Sequence, residues 1–375
     1  MKVGLVCPYN LFHGGGVQEC VFALQEELQK RGHQVKIITP LPRDYDGKLR
    51  NDVLFIGNAT QVKSFHTTSQ VSVSVSNEAV DNMLFEEQFD LLHFHEPWVP
   101  MVSMQILSRS NCINIATFHA KLPETVMHRT IERVITPYTK SIMKYLNGLT
   151  AVSEAAAEYV QNLTNKHIDI IPNGIDIDTY QNKMHTSRKT KNKKQKKILY
   201  VGRLEKRKGI PYLLRAYQEL RVRRPEVSLV IAGDGPNRAK LEHWVDEYDV
   251  VGITFKGYVT LSEKIRLLQA SDLFCSPAPY GESFGIVLLE AMASGLVTVA
   301  GDNSGYSAVL QGRGALSLVN PKDTSEFARR LELLLYDDAL RTLWQDWAAQ
   351  YVQQFNYPTV VDQYEALYER LLEES

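Results

Sequence analysis

Several things are scarce in this sequence, and each shortage closes off a class of protein. The chain holds four cysteines, Cys7, Cys20, Cys112 and Cys275, scattered with no C-x-x-C pair and no histidine beside them at ligand spacing. That argues against a disulfide framework and against a cysteine-based metal site. It fits small buried thiols in a reducing, cytoplasmic setting. No apolar run approaches the roughly 18 residues of a membrane-spanning helix, and the apolar stretch after Lys2 is too short for a signal peptide. The expectation is a cytoplasmic protein, at most peripheral to a membrane. An excess of one charge is missing too: the formal net charge is −1, which argues against a dedicated nucleic-acid binder. The basic run 188–197 contains no aromatic residue on which bases could stack, so it reads as a solvated linker. Finally there is no G-x-G-x-x-G and no acid about 20 residues beyond the first glycine run, so a nicotinamide cofactor is not expected.

What is present is an α/β pattern repeated twice, and 375 residues are enough for about two domains. Val3 to Cys7 is a continuous apolar run, as a strand buried on both faces requires. It leads through Gly14-Gly15-Gly16 into a helix striped by Val17, Val21, Leu24 and Leu28 and stopped at Gly32. Such a glycine run either brings backbone close to phosphates at a helix N-terminus or forms a loose loop. Strands follow at Val35–Pro40, at the alternating Val71–Ser76, at Phe89–Pro97 and at Ile113–Thr117. A helical region spans Leu122 to Leu146. After the basic run the pattern restarts with Ile198–Arg203, Val227–Ile231, Ile253–Phe255, Leu273–Ser276 and Val297–Ala300, and an aromatic-rich amphipathic helix closes the chain over Thr359–Leu371.

The chemistry gathers in a few turns. Gly281-Glu282-Ser283-Phe284-Gly285 lies between the strand at Leu273 and a helix whose Phe284, Val287, Leu288 and Ala291 predict one buried face, with Glu290 about two turns in. Arg203 and Lys208 share another strand-to-helix loop. Two fixed cations beside free helix N–H groups suit a diphosphate leaving group, on which negative charge grows, and they replace a divalent metal in that task. Carboxylates cannot do this; Glu282 must accept hydrogen bonds from neutral hydroxyls. Cations for phosphate beside acids for hydroxyls describe a nucleotide-sugar site. His119 follows a strand end, where α/β sheets bind ligands, though a structural histidine fits the pattern as well. His93 and His95 point to one face of their strand, but no third ligand is placed, and Asp176 and Asp178 read as solvated turn acids, so no metal is expected.

These motifs resemble a retaining glycosyltransferase of family 4 over nearly the whole chain. They are Gly14-Gly15-Gly16-Val17-Gln18, His119 after Ala116-Thr117-Phe118, Pro172-Asn173-Gly174-Ile175-Asp176, Val201-Gly202-Arg203 with Arg207-Lys208-Gly209, and Gly281 through Glu290. Within the family, Val6-Cys7-Pro8-Tyr9 to Gln18 and His93-Phe94-His95-Glu96-Pro97 are most similar to bacterial phosphatidylinositol mannosyltransferases. The resemblance implies the GT-B fold, two Rossmann-like doubly wound domains facing a cleft. It implies an acceptor domain over 1–185 with the helix 356–375 packed back on it, a linker over 186–197, and a donor domain over 198–355. It further implies donor contacts from Gly15, Gly16, Arg203, Arg207, Lys208, Val259, Lys264, Glu282, Glu290 and the backbone of Ser283, Phe284, Gly285 and Ile286. Tyr9, Gln18 and His119 fall to the acceptor, and His119, Arg203, Lys208 and Glu282 to catalysis. The implied reaction moves mannose from GDP-mannose to a lipid-linked polyol at an anionic membrane. A UDP-hexose glucosyltransferase and a non-catalytic sugar-nucleotide binder are the other readings. Three features depart from the mannosyltransferases: residues 77–88, basic in those enzymes, carry Glu78, Asp81, Glu86 and Glu87 here, Trp98 replaces a polar residue on the acceptor side, and the loop Arg203–Lys208 is one residue shorter.

Overall fold

A computed structural model describes residues 1–12, 15–42, 45, 51–64, 67–72, 75–98, 102–121, 128–181 and 195–375. The chain divides into two compact units, Met1–Gly174 with Tyr357–Ser375, and Ile175–Asn356.

The first unit is built on strands β1 (Lys2–Val6), β2 (Gln34–Leu41), β3 (Val53–Ser64), β4 (Thr67–Ser72), β5 (Leu91–His95), β6 (Ile113–Phe118), β7 (Gly148–Ala151) and β8 (Asp169–Ile170), in the order β4-β3-β2-β1-β5-β6-β7-β8. All pairings are parallel except β3 with β4. Val3 sits beside both Val35 and Leu91, which explains its unbroken apolar run: a central parallel strand has helices over both faces. The second unit repeats the plan with β9 (Lys197–Val201), β10 (Ser228–Ala232), β11 (Ile253–Gly257), β12 (Leu273–Ser276), β13 (Val297–Gly301) and β14 (Leu318–Val319), all parallel in the order β11-β10-β9-β12-β13-β14. In each sheet the strand order reverses next to the first strand, between β1 and β5 and between β9 and β12.

The chain leaves the first unit at Gly174, earlier than the expected boundary at 185. The reason is local pairing: Ile175 N–H donates to the Phe355 carbonyl at 2.8 Å, so the outgoing segment is tied to the returning one. The linker expected over 186–197 lies largely outside the described residues, as do Gly14 and the start of the helical region from Leu122, whose described helix runs His128–Met143. The strand expected through Ser76 ends at Ser72, because the Ser76 hydroxyl instead accepts the Ala79 N–H and caps the helix Asn77–Glu87. The antiparallel β3–β4 pair was not foreseen. Among the described residues no helix is long and apolar enough to cross a membrane.

The helix Tyr357–Glu373 belongs to the first unit, where Val360, Val361, Tyr364, Leu367, Tyr368 and Leu371 join the core with Val21, Leu24 and Leu28 of the helix Gly16–Lys30. Leu367→Ala removes a buried side chain from this seam and should cost about 2–5 kcal/mol, read as a lower urea midpoint with an unchanged slope.

Candidate active site

Two polar clusters stand at the carboxyl ends of strands next to the points of strand-order reversal, one in each unit. In the second unit, the chain beyond β9 tightens into a 3₁₀ turn, Lys206–Lys208, closed by Gly209 in the left-handed region at φ 71°. A Cβ at Gly209 would lie 2.1 Å from the Pro277 carbonyl oxygen, so only glycine lets this cationic loop pack against the chain leaving β12. The result is an ionic chain. Arg207 Nη1 and Lys208 Nζ both reach Glu282 Oε1, at 2.7 and 2.8 Å, and Arg207 also donates to the Gly281 carbonyl at 2.9 Å. Glu205, only 4% exposed, takes Arg207 Nε at 3.0 Å and Arg203 Nη2 at 3.0 Å. Three cations against two carboxylates leave one positive charge in excess. Burial opposes the Arg207 charge, but Glu282 and Glu205 outweigh it and raise its pKa. Arg203 remains 51% exposed, so its guanidinium is open to a ligand on one side.

Packing fixes the Glu282 turn. A Cβ at Gly305 would lie 2.2 Å from the Glu282 carbonyl oxygen, so that backbone presses directly on the turn. The following helix, Ile286–Ala293, starts at Gly285 without a capping side chain, which leaves the first-turn N–H groups without a side-chain acceptor. One buried face was expected for this helix. Instead Leu288 through Ala293 are all buried and Val287 is half-buried, because β13 and the helices Asp338–Tyr351 and Ile177–Gln181 all pack around it. Glu290 is thus a buried acid, and its Oε1 accepts from Tyr180 Oη at 2.7 Å and from Lys264 Nζ at 2.5 Å. Lys264 rides on the helix Leu261–Ala270, whose N-terminus is set by a capping box between Thr260 and Glu263, with half-buried Val259 just ahead.

In the first unit the cluster is built on two imidazoles. His119, just beyond β6, meets the last residue of β5: His95 Nδ1 and His119 Nε2 are 2.9 Å apart. Burial pulls the His119 imidazole down to about 4 and holds His95 well below its ordinary value, so both rings are neutral at pH 7. His93 shares the His95 face but is spoken for, by Tyr368 Oη at 2.7 Å and Thr117 Oγ1 at 2.6 Å. Glu96 adopts φ 53°, a strained conformation for a residue with a side chain. Its own N–H donates to the Thr117 carbonyl at 2.9 Å, while its Oε1 accepts the His119 N–H at 2.6 Å. Burial pushes the Glu96 carboxyl up to about 7, and burial with the nearby Glu96 charge raises the Tyr9 phenol. Gln18 Nε2 donates to the Asn10 carbonyl at 3.2 Å, Gly15 packs on the Gln18 amide, and Gly16 opens its helix exposed to solvent.

The structure thus joins Arg203, Arg207, Lys208 and Glu282 in one cluster, Lys264 with Glu290 in a second, and His119 with His95 in a third. Sequence reasoning missed Glu205, Tyr180 and Glu96. Glu205 carried a signal, an acid two residues from each of two arginines; Tyr180 and Glu96 are recruited by the fold.

A pH dependence follows for Glu96. Its folded pKa lies above its ordinary 4.5, so the stability it contributes is full below pH 4.5 and is lost as pH rises to about 7. That displacement corresponds to about 3 kcal/mol. Glu96→Gln should therefore gain on the parent by that order between pH 4.5 and 7 and by no more above it, read from urea unfolding at a series of pH values.

Two family models match the chain: residues 14–179 fit Glycosyltransferase Family 4, and residues 182–350 fit Glycosyl transferases group 1. A phosphatidyl-myo-inositol mannosyltransferase of Mycolicibacterium smegmatis is 31% identical over 372 residues, spanning 98% of this chain and 94% of the relative. Among solved structures, a sucrose-phosphate synthase from Thermosynechococcus elongatus superposes with a TM-score of 0.77 at 20% identity, covering 100% of both chains. Anabaena HepE, solved with UDP-glucose, gives 0.74 at 18% identity, covering 98% of this chain and 100% of its own. The matched sequence, the paired parallel sheets and the ionic loop beside a glycine-bracketed acid agree: the chain belongs to the family 4 glycosyltransferases and is a hexosyltransferase of GT-B fold.

Proposed function

We propose that the enzyme transfers mannose from GDP-mannose to a lipid-linked polyol of the phosphatidylinositol kind, with retention, giving an α-glycoside. The observation that carries this is the Glu282 carboxylate held by Arg207 and Lys208 with Arg203 alongside. Arg203 and Lys208, with the N–H groups of Ser283 to Ile286, take the donor diphosphate, whose charge grows as the glycosidic bond breaks. Groups already fixed in place stabilise that charge without reorganising. Once the phosphates draw the cations off, Glu282 turns its oxygens to the sugar hydroxyls. Glu290 takes the ribose, with Lys264 and Tyr180 holding its orientation and Val259 flanking the nucleotide. These groups make the second unit the donor side. His119, neutral and fixed from behind by Glu96 and His95, serves sugar and acceptor in the first unit, where Tyr9 and Gln18 face the polyol and Gly15 and Gly16 admit backbone to the phosphates. Retention is read as front-face attack assisted by the leaving phosphate. The names of the matched relatives support mannose and inositol as sugar and acceptor.

Glu282→Ala should abolish transfer and leave the circular-dichroism spectrum unchanged. Lys208→Ala should lower kcat by roughly a hundred- to a thousandfold, about 3–4 kcal/mol of transition-state stabilisation. Donor hydrolysis measured without acceptor across GDP- and UDP-hexoses tests the sugar directly: preference for a UDP-hexose moves the enzyme to the glucosyltransferases, and no turnover of any donor overturns the reading.

The peripheral membrane contact would also differ from a cationic one. The helix Asn77–Glu87 has no lysine or arginine, Glu87 is engaged by Lys2 and Lys36, and Phe85 is 78% exposed. Flotation on anionic vesicles should therefore be weak and little changed by raised salt; protein that stays wholly unbound points to a soluble acceptor.

A further inference from the structure

We propose that Cys20, His95 and His119 form a site for a thiophilic divalent cation of the zinc class, and that the bound ion withdraws His119 from transfer. One ligand atom from each of the three residues lies within 4.8 Å of the others, and among the described residues this is the one group of His, Cys, Asp or Glu side chains so arranged. Three separate elements bring them together: Cys20 sits on the helix Gly16–Lys30, His95 ends β5, and His119 follows β6. All three side chains are buried. One thiol and two imidazoles favour zinc-like ions over magnesium or calcium, which prefer oxygen. Three protein ligands with a position left over is also the count found where zinc exchanges its fourth ligand.

A second observation points to a missing partner. His95 Nε2 is fully buried and has no hydrogen-bond partner among the described residues, which is unusual because buried polar atoms ordinarily find one. Its neighbour His93 cannot supply a ligand, since both of its nitrogens are already bonded, to Tyr368 and to Thr117. The His-x-His spacing therefore does not make the site; β6 and the first helix do. Burial pushes the Cys20 thiol up to about 12, so its proton leaves when an ion takes its place. The binding step is balanced: a metal–sulfur bond forms, one proton goes to solvent, and two neutral imidazoles each give a lone pair as the His95–His119 hydrogen bond opens. No electron transfer is involved. The inhibitory consequence, unlike the binding itself, rests on the role proposed above for His119.

Cobalt(II) is a suitable probe, because a thiolate ligand gives it a charge-transfer band in the near ultraviolet. The reduced full-length protein should show this band at about one equivalent, and Cys20→Ser should lose the band and bind more weakly by well over ~100-fold, beyond what loss of an outer-shell partner costs. Zinc should inhibit transfer by the parent protein at least about tenfold more than transfer by Cys20→Ser, with chelation restoring the rate. No band in the parent protein, or an equal band in Cys20→Ser, overturns the site without touching the transferase reading, because the cobalt signal needs no sugar donor. A band with transfer still at full rate overturns the inhibition and with it the part assigned to His119.

Discussion

The reversal of strand order in each sheet is the constraint on which the rest depends. Right-handed crossovers from the first strand go to opposite faces on the two sides of the reversal, so the loops leaving β1 and β5, and those leaving β9 and β12, diverge and leave a crevice. The Arg203–Lys208 loop follows β9, the Glu282 turn follows β12, and His95 ends β5. This is how Arg207 and Glu282, 75 positions apart, share a hydrogen bond: adjacent parallel strands end at one level, and two short loops then cover the remaining distance.

The two units make opposite use of burial. In the second, each buried acid is matched to cations: Glu205 and Glu282 to the arginine–lysine loop, Glu290 to Lys264 and the Tyr180 hydroxyl. Pairing with cations offsets the cost of burying an acid. In the first, around His119, burial wins: the imidazoles lose their charge and the Glu96 carboxyl is pushed up to about 7. The left-handed backbone at Glu96 is strained, and that conformation aims its carboxyl at the His119 N–H.

Much of this was legible along the chain. Unbroken apolar runs marked the central strands, glycine-bracketed turns marked the strand-to-helix loops, and Arg203, Lys208, Glu282 and Glu290 stood out because cations and acids recurred at successive strand ends. The failures were of another kind. Val287 was assigned to a buried stripe, yet the helix Ile286–Ala293 is enclosed on nearly every side. Periodicity reports a difference between faces and says nothing when several elements cover both.

Local sequence therefore determined which segments are strands, where each turns, and which residue types wait at the turns, because backbone conformation and hydrophobic period act over a few residues. The tertiary structure alone decided the partnerships: Glu205 between two arginines, Tyr180 on Glu290, Cys20 beside His95 and His119, and His93 turned to Tyr368. Those choices are made by the desolvation of polar groups that meet only after the sheets close, and their sequence separations run up to 275 positions. No spacing rule reaches that far, since which buried atom finds a partner depends on the whole packing around it.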